Sequence, residues 1–117
     1  MCRVLIIDDE EAICRLLIHA LSKNGIGSEL ATSGPEGLAK FEREHFDIVI
    51  TDMLMPGMNG DRIAHRIRNS DKPDTPVICI SGTPWLLDAE VFDVVLEKPF
   101  SIQMLVDAVG AKNRFRE

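Results

Sequence analysis

Four short apolar runs and one further possible short strand, residues 28–31, predict a five-stranded β-sheet. They span residues 4–7, 28–31, 47–52, 76–80 and 94–96. Most are continuous apolar runs, which is typical of strands buried on both faces. The segments between them carry apolar residues at helical spacing. Strand and helix therefore alternate five times, a pattern that predicts a parallel sheet covered by helices on both faces.

Polar residues and glycine mark the ends of the predicted helices. Asn24 and Gly25 are expected to end the first helix, because both tolerate the left-handed conformation. The proposed N-terminal caps of later helices are Ser33 (with Glu36 in a capping box), Asn59 and Ser101. The residues expected to face the core are Ile13, Leu16, Leu17, Ala20 and Leu21 in the first helix, Leu38 and Phe41 in the second, Ile63, Ala64 and Ile67 in the third, and Ile102, Leu105, Ala108 and Val109 in the last.

The segment between the fourth and fifth strands leaves room for only a short helix. Residues 82–93 must accommodate two loops and a helix, close to the minimum of roughly 10–12 residues for a crossover. Pro84 can open this helix at its first turn, and residues 85–87 would form its apolar side. A helix of one or two turns is therefore expected here.

Length and composition indicate one globular domain over residues 1–117. The 117 residues are 45% hydrophobic and 27% charged, both close to globular norms. The chain shows neither a signal peptide nor an apolar stretch long enough to span a bilayer, so a cytoplasmic location is expected. The net charge of −6 argues against direct contact with nucleic acid or a membrane surface.

The three cysteines do not predict a metal site. Cys2, Cys14 and Cys79 have no CxxC spacing, so buried or half-buried free thiols in a reducing compartment are expected.

Polar residues that can carry chemistry follow four of the predicted strands. Asp8 and Asp9 follow the first strand, Asp52 ends the third, Ser81 ends the fourth, and Lys98 follows the fifth. Sites in parallel sheets form beyond the carboxyl ends of the strands, so these side chains are expected to converge. Clustered carboxylates repel one another, so the cluster is unstable unless a cation lies among them or the pKa of one carboxyl group rises. Mg²⁺ suits such oxygen ligands. Carboxylates, a metal, a hydroxyl and a lysine together favour phosphoryl transfer.

Each of these residues also has an ordinary structural explanation. Asp8 could cap the first helix with Glu11 reciprocating, and taken alone this is at least as good an explanation as metal binding. Asp52 could be a strand-end acid, Ser81 a turn residue before a glycine, and Lys98 a solvated side chain. It is the combination of positions, in the expected order, that favours a site.

The sequence resembles a response regulator receiver domain, the phosphoacceptor module of two-component signalling. The resemblance covers nearly the whole chain and rests on four motifs: VLIIDDE at residues 4–10, DIVITDMLMPGMNG at 47–60, ISG at 80–82 and KPF at 98–100. It implies a flavodoxin-like, doubly wound five-stranded parallel sheet in the order 2-1-3-4-5.

The resemblance also implies a role for each site residue. Asp52 would accept the phosphoryl group from a phosphohistidine. Asp9 would bind Mg²⁺ directly, and Asp8 directly or through water. The remaining implied roles are a metal ligand at the backbone carbonyl of Leu54, a phosphoryl contact at Ser81, an ion pair with the phosphoryl group at Lys98, and a cis peptide before Pro99. The implied partners are a sensor histidine kinase or phosphotransfer protein and a downstream effector, and no enzymatic activity is expected beyond Mg²⁺-dependent self-phosphorylation and autodephosphorylation.

One departure from the family pattern affects signalling. Receivers usually carry an aromatic residue three positions before the lysine, and here that position is Val95. The aromatic side chain on which the usual switch depends is therefore missing from this position, although Ser81 can still move. The segment 83–93, with the only tryptophan at Trp85, is instead expected to respond when Ser81 engages the phosphoryl group.

Other functions agree less well with the residues. A flavodoxin or a dinucleotide-binding enzyme would need a phosphate-binding loop after the first strand, where this chain has four consecutive acids, at 8–11. An aspartate-nucleophile phosphatase would place its nucleophile at the end of the first strand with a second acid two residues on. Here the acids Asp8 and Asp9 are adjacent, and the best candidate for a nucleophile, Asp52, ends the third strand. The alternative that stays open is a degenerate receiver that acts only as a protein-interaction module.

Overall fold

The computed structural model describes residues 2–83 and 89–116. Its five strands form one parallel sheet in the order β2-β1-β3-β4-β5, as predicted. The strands are β1 (Arg3–Ile7), β2 (Gly27–Ala31), β3 (Ile48–Asp52), β4 (Val77–Ser81) and β5 (Val94–Glu97). Within these described residues, four α-helices accompany them: α1 (Glu11–Lys23), α2 (Gly34–Arg43), α3 (Gly60–Arg68) and α4 (Ile102–Arg116).

The core lies on both faces of the sheet. One cluster contains residues of α2 and α3 together with alternate residues of the central strands, including Leu5, Ile7 and Val49. The other contains residues of α1 and α4 and the intervening strand residues, including Ile6 and Ile50. Successive strand residues point to opposite faces, so a sheet covered on both sides buries every residue of β3 and β4. The continuous apolar runs of the sequence reflect this double burial.

The parallel register brings the ends of three strands to the same edge of the sheet. Backbone hydrogen bonds continue past the strands, from Asp8 N to the carbonyl of Ala31 (3.0 Å) and from Lys98 N to the carbonyl of Ser81 (2.9 Å). A similar bond runs from Met53 N to the carbonyl of Ile80 (3.0 Å). The residues directly after the strands are therefore held by the sheet itself.

The buried stripe of α1 differs from the predicted one. Ile13 and Leu16 were expected inward but are 39% and 65% exposed, whereas Cys14, Leu17 and Leu21 are buried. The helix carries more apolar residues than fit on the one face that packs against the sheet. The face that packs there contains Cys14, Leu17 and Leu21, which are spaced three and four residues apart. Ile102 in α4 is likewise 43% exposed, while Leu105 and Val109 are buried as expected.

Two of the three predicted caps form as expected. Ser33 Oγ accepts a hydrogen bond from Glu36 N (3.2 Å), and Ser101 Oγ accepts one from Met104 N (3.1 Å). The reciprocal bond of the capping box is shifted by one residue, because the Glu36 carboxylate binds the backbone N–H of Thr32 (2.8 Å). Asn59 precedes α3 but makes no side-chain capping bond, since its Oδ1 accepts from Met55 N instead (3.5 Å). The predicted end of α1 is also confirmed, with Gly25 at φ 75°.

The short helix predicted between β4 and β5 falls largely on residues 84–88, which lie outside the described residues, and so does Trp85. The described end of this crossover is a single 3₁₀ turn over Ala89–Val91. It is followed by Asp93, whose Oδ2 accepts hydrogen bonds from Val77 N (2.7 Å) and from the Arg68 guanidinium (2.6 Å). These bonds secure the start of β5 against β4 and α3.

The three cysteines are buried and are not joined in disulfides, as predicted. Of the helices within residues 2–83 and 89–116, none has the length and apolar composition needed to cross a bilayer.

Candidate functional site

Three carboxylates meet at the carboxyl edge of the sheet. Oxygen atoms of Asp8, Glu10 and Asp52 all lie within 4.8 Å of one another. Asp52 ends β3 and is 5% exposed, and Asp8 directly follows β1 and is 4% exposed. Glu10 is exposed and immediately precedes α1. The topology brings these groups together because β1 and β3 are neighbouring parallel strands.

Lys98 provides the positive charge of the site. Its Nζ lies 3.3 Å from Asp52 Oδ2. The lysine directly follows β5, and its backbone N–H is bound to Ser81 at the end of β4. The peptide between Lys98 and Pro99 is cis, as the sequence resemblance implied.

The buried carboxylates are short of positive charge. The pKa of Asp8 is raised from 3.8 to about 6, mainly by burial and also by the nearby charge of Asp52, although the backbone N–H of Glu10 and the charge of Lys98 oppose the shift. Burial also raises the pKa of Asp52, against the lowering effect of Lys98. Such a site stabilises a bound cation, because a cation relieves both desolvation and mutual repulsion.

The donor set suits a hard divalent cation. Every ligand atom in the carboxylate group is oxygen, and Mg²⁺ is bound in proteins through one or two carboxylates together with water. No soft ligand competes within this group, since the nearby Cys14 thiol is buried and its pKa is raised to about 12, mainly by burial. The residues present therefore fit Mg²⁺.

Ser81 lies at the end of β4, between the strands that carry Asp52 and Lys98. It is 1% exposed, and its Oγ accepts a hydrogen bond from the backbone N–H of Thr83 (3.0 Å). The Thr83 hydroxyl is buried and has no hydrogen-bond partner among the described residues. The Ser81 hydroxyl thus lies at the end of the strand that neighbours β3, and the Thr83 hydroxyl lies two residues further along the chain.

The loop after β3 is packed tightly against the site. The backbone N–H of Gly60, at the start of α3, donates to the carbonyl of Met53 (2.8 Å). A Cβ atom at Gly60 would lie 2.6 Å from the Asp52 carbonyl oxygen. Only glycine allows α3 to begin this close to the strand that carries Asp52.

A cavity of about 370 Å³ opens beside the carboxylates. It is lined by Asp8, Glu10, Ile13, Ile80, Lys98, Pro99 and Phe100. The cavity gives a solvent-side approach to the site along the start of α1 and the loop after β5.

The structure brings together three of the residues predicted from the sequence, Asp8, Asp52 and Lys98, with Ser81 on the adjoining strand. Asp9 is exposed and is not part of the described carboxylate group, so its role as a direct metal ligand stays a prediction. The carbonyl of Leu54 also stays a prediction, and the Leu54 side chain is 60% exposed. Asp8 does not cap α1, because its Oδ1 accepts from Glu10 N (3.0 Å) and the helix begins only after Glu10.

Glu10 is the member of the group that the sequence prediction missed. The run of acids at 8–11 was a signal for it, but the choice among adjacent acids depends on how the chain turns after β1. Val95, at the position of the usual aromatic switch, is half-buried against the core.

Comparison with known proteins agrees with this geometry. The family model for the response regulator receiver domain matches residues 4–110. The sensory transduction protein RegX3 of Mycobacterium tuberculosis is 33% identical over 116 residues, covering 95% of this chain and 50% of RegX3. This chain thus spans about half the length of that relative.

Solved structures show the same fold. The response regulator protein TrrA of Thermotoga maritima, in complex with Mg²⁺ and BeF, has a TM-score of 0.88 and 32% identity, covering 96% of this chain and 99% of that chain. A CheY-like receiver domain protein of Methanospirillum hungatei has a TM-score of 0.91 and 26% identity, covering 99% and 96%. The chain therefore belongs to the family of response regulator receiver domains of two-component signalling.

Proposed function

We propose that this receiver accepts a phosphoryl group on Asp52 in an Mg²⁺-dependent reaction and signals through the resulting change in conformation. The observation that carries the proposal is the placement of Asp52, a buried carboxylate at the end of β3 that is paired with Lys98 and flanked by Asp8. Mg²⁺ in the TrrA complex and the oxygen donors of this site support the metal requirement.

The chemistry assigned to the protein groups is simple. A carboxylate oxygen of Asp52 attacks the phosphorus of a phosphohistidine or of a small acyl phosphate. The new P–O bond forms as the bond to the leaving group breaks, and a histidine leaving group takes up a proton from solvent. Asp52 must be ionised to attack, and the adjacent Lys98 favours its charged form. Bound Mg²⁺ supplies further positive charge against the phosphoryl oxygens.

Lys98 and Ser81 are the groups available to hold the transferred phosphoryl group. The ammonium group of Lys98 already lies beside Asp52 Oδ2 and can pair with a phosphoryl oxygen. The Ser81 hydroxyl accepts from Thr83 N, which leaves its own proton free to donate. A change at Ser81 would reach residue 83 through this hydrogen bond, and the proposed response of the segment 83–93 would begin there.

The proposed partners follow from the family. The phosphodonor is a sensor histidine kinase or a phosphotransfer protein, and the output is a downstream effector domain or protein. We assign no turnover of a separate substrate to this domain: it phosphorylates itself, and water later removes the phosphoryl group.

The alternative is a degenerate receiver that acts only through protein contacts. Retention of Asp8, Asp52, Ser81 and Lys98 favours the phosphorylated function. Incubation with acetyl phosphate, followed by intact-mass spectrometry, separates the two. We expect an added phosphoryl group in the presence of Mg²⁺ and none in the presence of EDTA. Absence of the adduct at saturating Mg²⁺ would favour the degenerate receiver.

A further inference from the structure

Glu10 occupies an unexpected position in the carboxylate group. Its side chain lies with those of Asp8 and Asp52, all three offering oxygen atoms within 4.8 Å of one another. The adjacent acid, Asp9, is outside this group although it belongs to the same run of acids.

The backbone around Glu10 holds its side chain near the site. The N–H of Glu10 donates to Asp8 Oδ1 (3.0 Å), and the carbonyl of Glu10 accepts from Cys14 N (3.1 Å). Glu10 is therefore bonded on one side to a site carboxylate and on the other to the first turn of α1. These two bonds fix the backbone of Glu10 between β1 and α1, and its carboxylate lies within 4.8 Å of those of Asp8 and Asp52.

The position of Glu10 is electrostatically unfavourable in the absence of a cation. Its charge repels those of Asp8 and Asp52. None of the ion pairs formed by the described residues includes Glu10, whereas the next acid, Glu11, pairs with Arg15 (2.6 Å). Glu10 also borders the cavity on whose wall Lys98 lies. A solvent-exposed glutamate could turn away from two buried acids, so its place among them indicates that the site is arranged for positive charge.

We propose that Glu10 is an additional carboxylate of the cation site and that Mg²⁺ affinity depends on its charge. This inference rests on the proposed function, because it assumes that Mg²⁺ binds at Asp8 and Asp52. It gives Glu10 a role in metal binding that the sequence resemblance gives only to Asp8, Asp9 and Asp52 among the carboxylates.

Calorimetric titration of the metal-free protein with MgCl₂ at constant ionic strength tests the proposal. Glu10→Gln removes the charge and keeps the size and the backbone bonds. Loss of a supporting carboxylate weakens metal binding by about 10–100-fold, and for Glu10→Gln we expect about tenfold. Glu11→Gln is the matched control, since it removes the neighbouring charge from an exposed residue outside the carboxylate group. We expect it to leave the affinity unchanged.

A second measurement confirms that Glu10→Gln is folded. Urea unfolding without metal should show the same or slightly higher stability than the wild type, because repulsion among the carboxylates is relieved. Mg²⁺ should then stabilise the variant less than it stabilises the wild type.

The outcomes separate this inference from the proposed function. If Asp8→Asn abolishes Mg²⁺ binding while Glu10→Gln binds as the wild type does, the role of Glu10 is wrong and the proposed function stands. Equal weakening by Glu10→Gln and Glu11→Gln would also overturn it, because the effect would then be one of general charge. If the wild-type protein binds no Mg²⁺, the proposed function and this inference fail together.

Discussion

Lys98 Nζ lies 3.3 Å from Asp52 Oδ2, although β3 and β5 are separated in the sheet by β4. The lysine side chain crosses the end of β4 to reach the carboxylate. The backbone N–H of Lys98 donates a hydrogen bond to the carbonyl of Ser81, so the backbones of the lysine and the hydroxyl residue are held together. The three residues proposed to accept and hold the phosphoryl group thus come from the ends of three adjacent strands.

Loss of the lysine should raise the pKa of Asp52. Burial already raises this pKa, and Lys98 is the main group that lowers it. In Lys98→Gln we expect the carboxyl carbon of residue 52 to titrate at higher pH in an NMR experiment, and phosphorylation by acetyl phosphate at neutral pH to slow. Lys23→Gln, at the exposed end of α1, is the control. An Asp52 titration unchanged by Lys98→Gln would show that the ion pair contributes nothing in solution.

The stability of the metal-free domain should fall as Asp8 ionises. The folded-state pKa of Asp8 is about 6, above the ordinary value of 3.8, so the folded state binds more protons than the unfolded state between these values. Stability from this group is therefore complete below pH 4 and decreases as the pH rises to about 6.

Asp8→Asn keeps an oxygen that can accept from Glu10 N and removes the ionisation. Without metal we expect this variant to exceed the wild type by about 1–2 kcal/mol in unfolding free energy at pH 7.5, and by little at pH 4. Urea denaturation at both pH values measures the difference, with the exposed Asp71→Asn as control. Parallel pH profiles for Asp8→Asn and wild type would contradict the assigned pKa.

Gly60→Ala should disturb the site through its backbone. The added Cβ would approach the Asp52 carbonyl oxygen to 2.6 Å and the Met53 Cα to 3.1 Å, so the start of α3 must move away from β3. We expect a loss of about 1–3 kcal/mol in unfolding free energy and slower phosphorylation. Gly27→Ala, where a Cβ meets nothing within 4 Å, is the control. Equal stability of the two variants would show that α3 adjusts without cost.

The sequence predicted the sheet well because its strands are buried on both faces. Continuous apolar runs such as residues 48–50 are typical of strands buried on both faces. Each run is followed by a polar residue at the same edge of the sheet. Helix orientation was harder to predict. Ile13 and Leu16 are as apolar as the buried Leu17, and only the packing of α1 on the sheet decides which of them is covered.

The candidate site was predictable as far as its residues lie at strand ends. Asp52 and Lys98 are placed by the sheet, and both meet as expected. Glu10 lies beyond β1, where the bond from its N–H to Asp8 decides which of the following acids turns inward. Asn59 fails as a side-chain cap for a similar reason, because the loop offers it Met55 N as a local partner.

The most direct test of the central claim is to locate the phosphoryl group. Treatment with acetyl phosphate and Mg²⁺, reduction with borohydride and peptide mass spectrometry would convert an aspartyl phosphate into homoserine at the modified position. We predict homoserine at residue 52 alone, and none in Asp52→Asn, whose circular dichroism should match that of the wild type. Modification at Asp8 or Asp9 in the wild-type protein, or undiminished labelling of Asp52→Asn, would contradict the assignment of Asp52 as the phosphoacceptor.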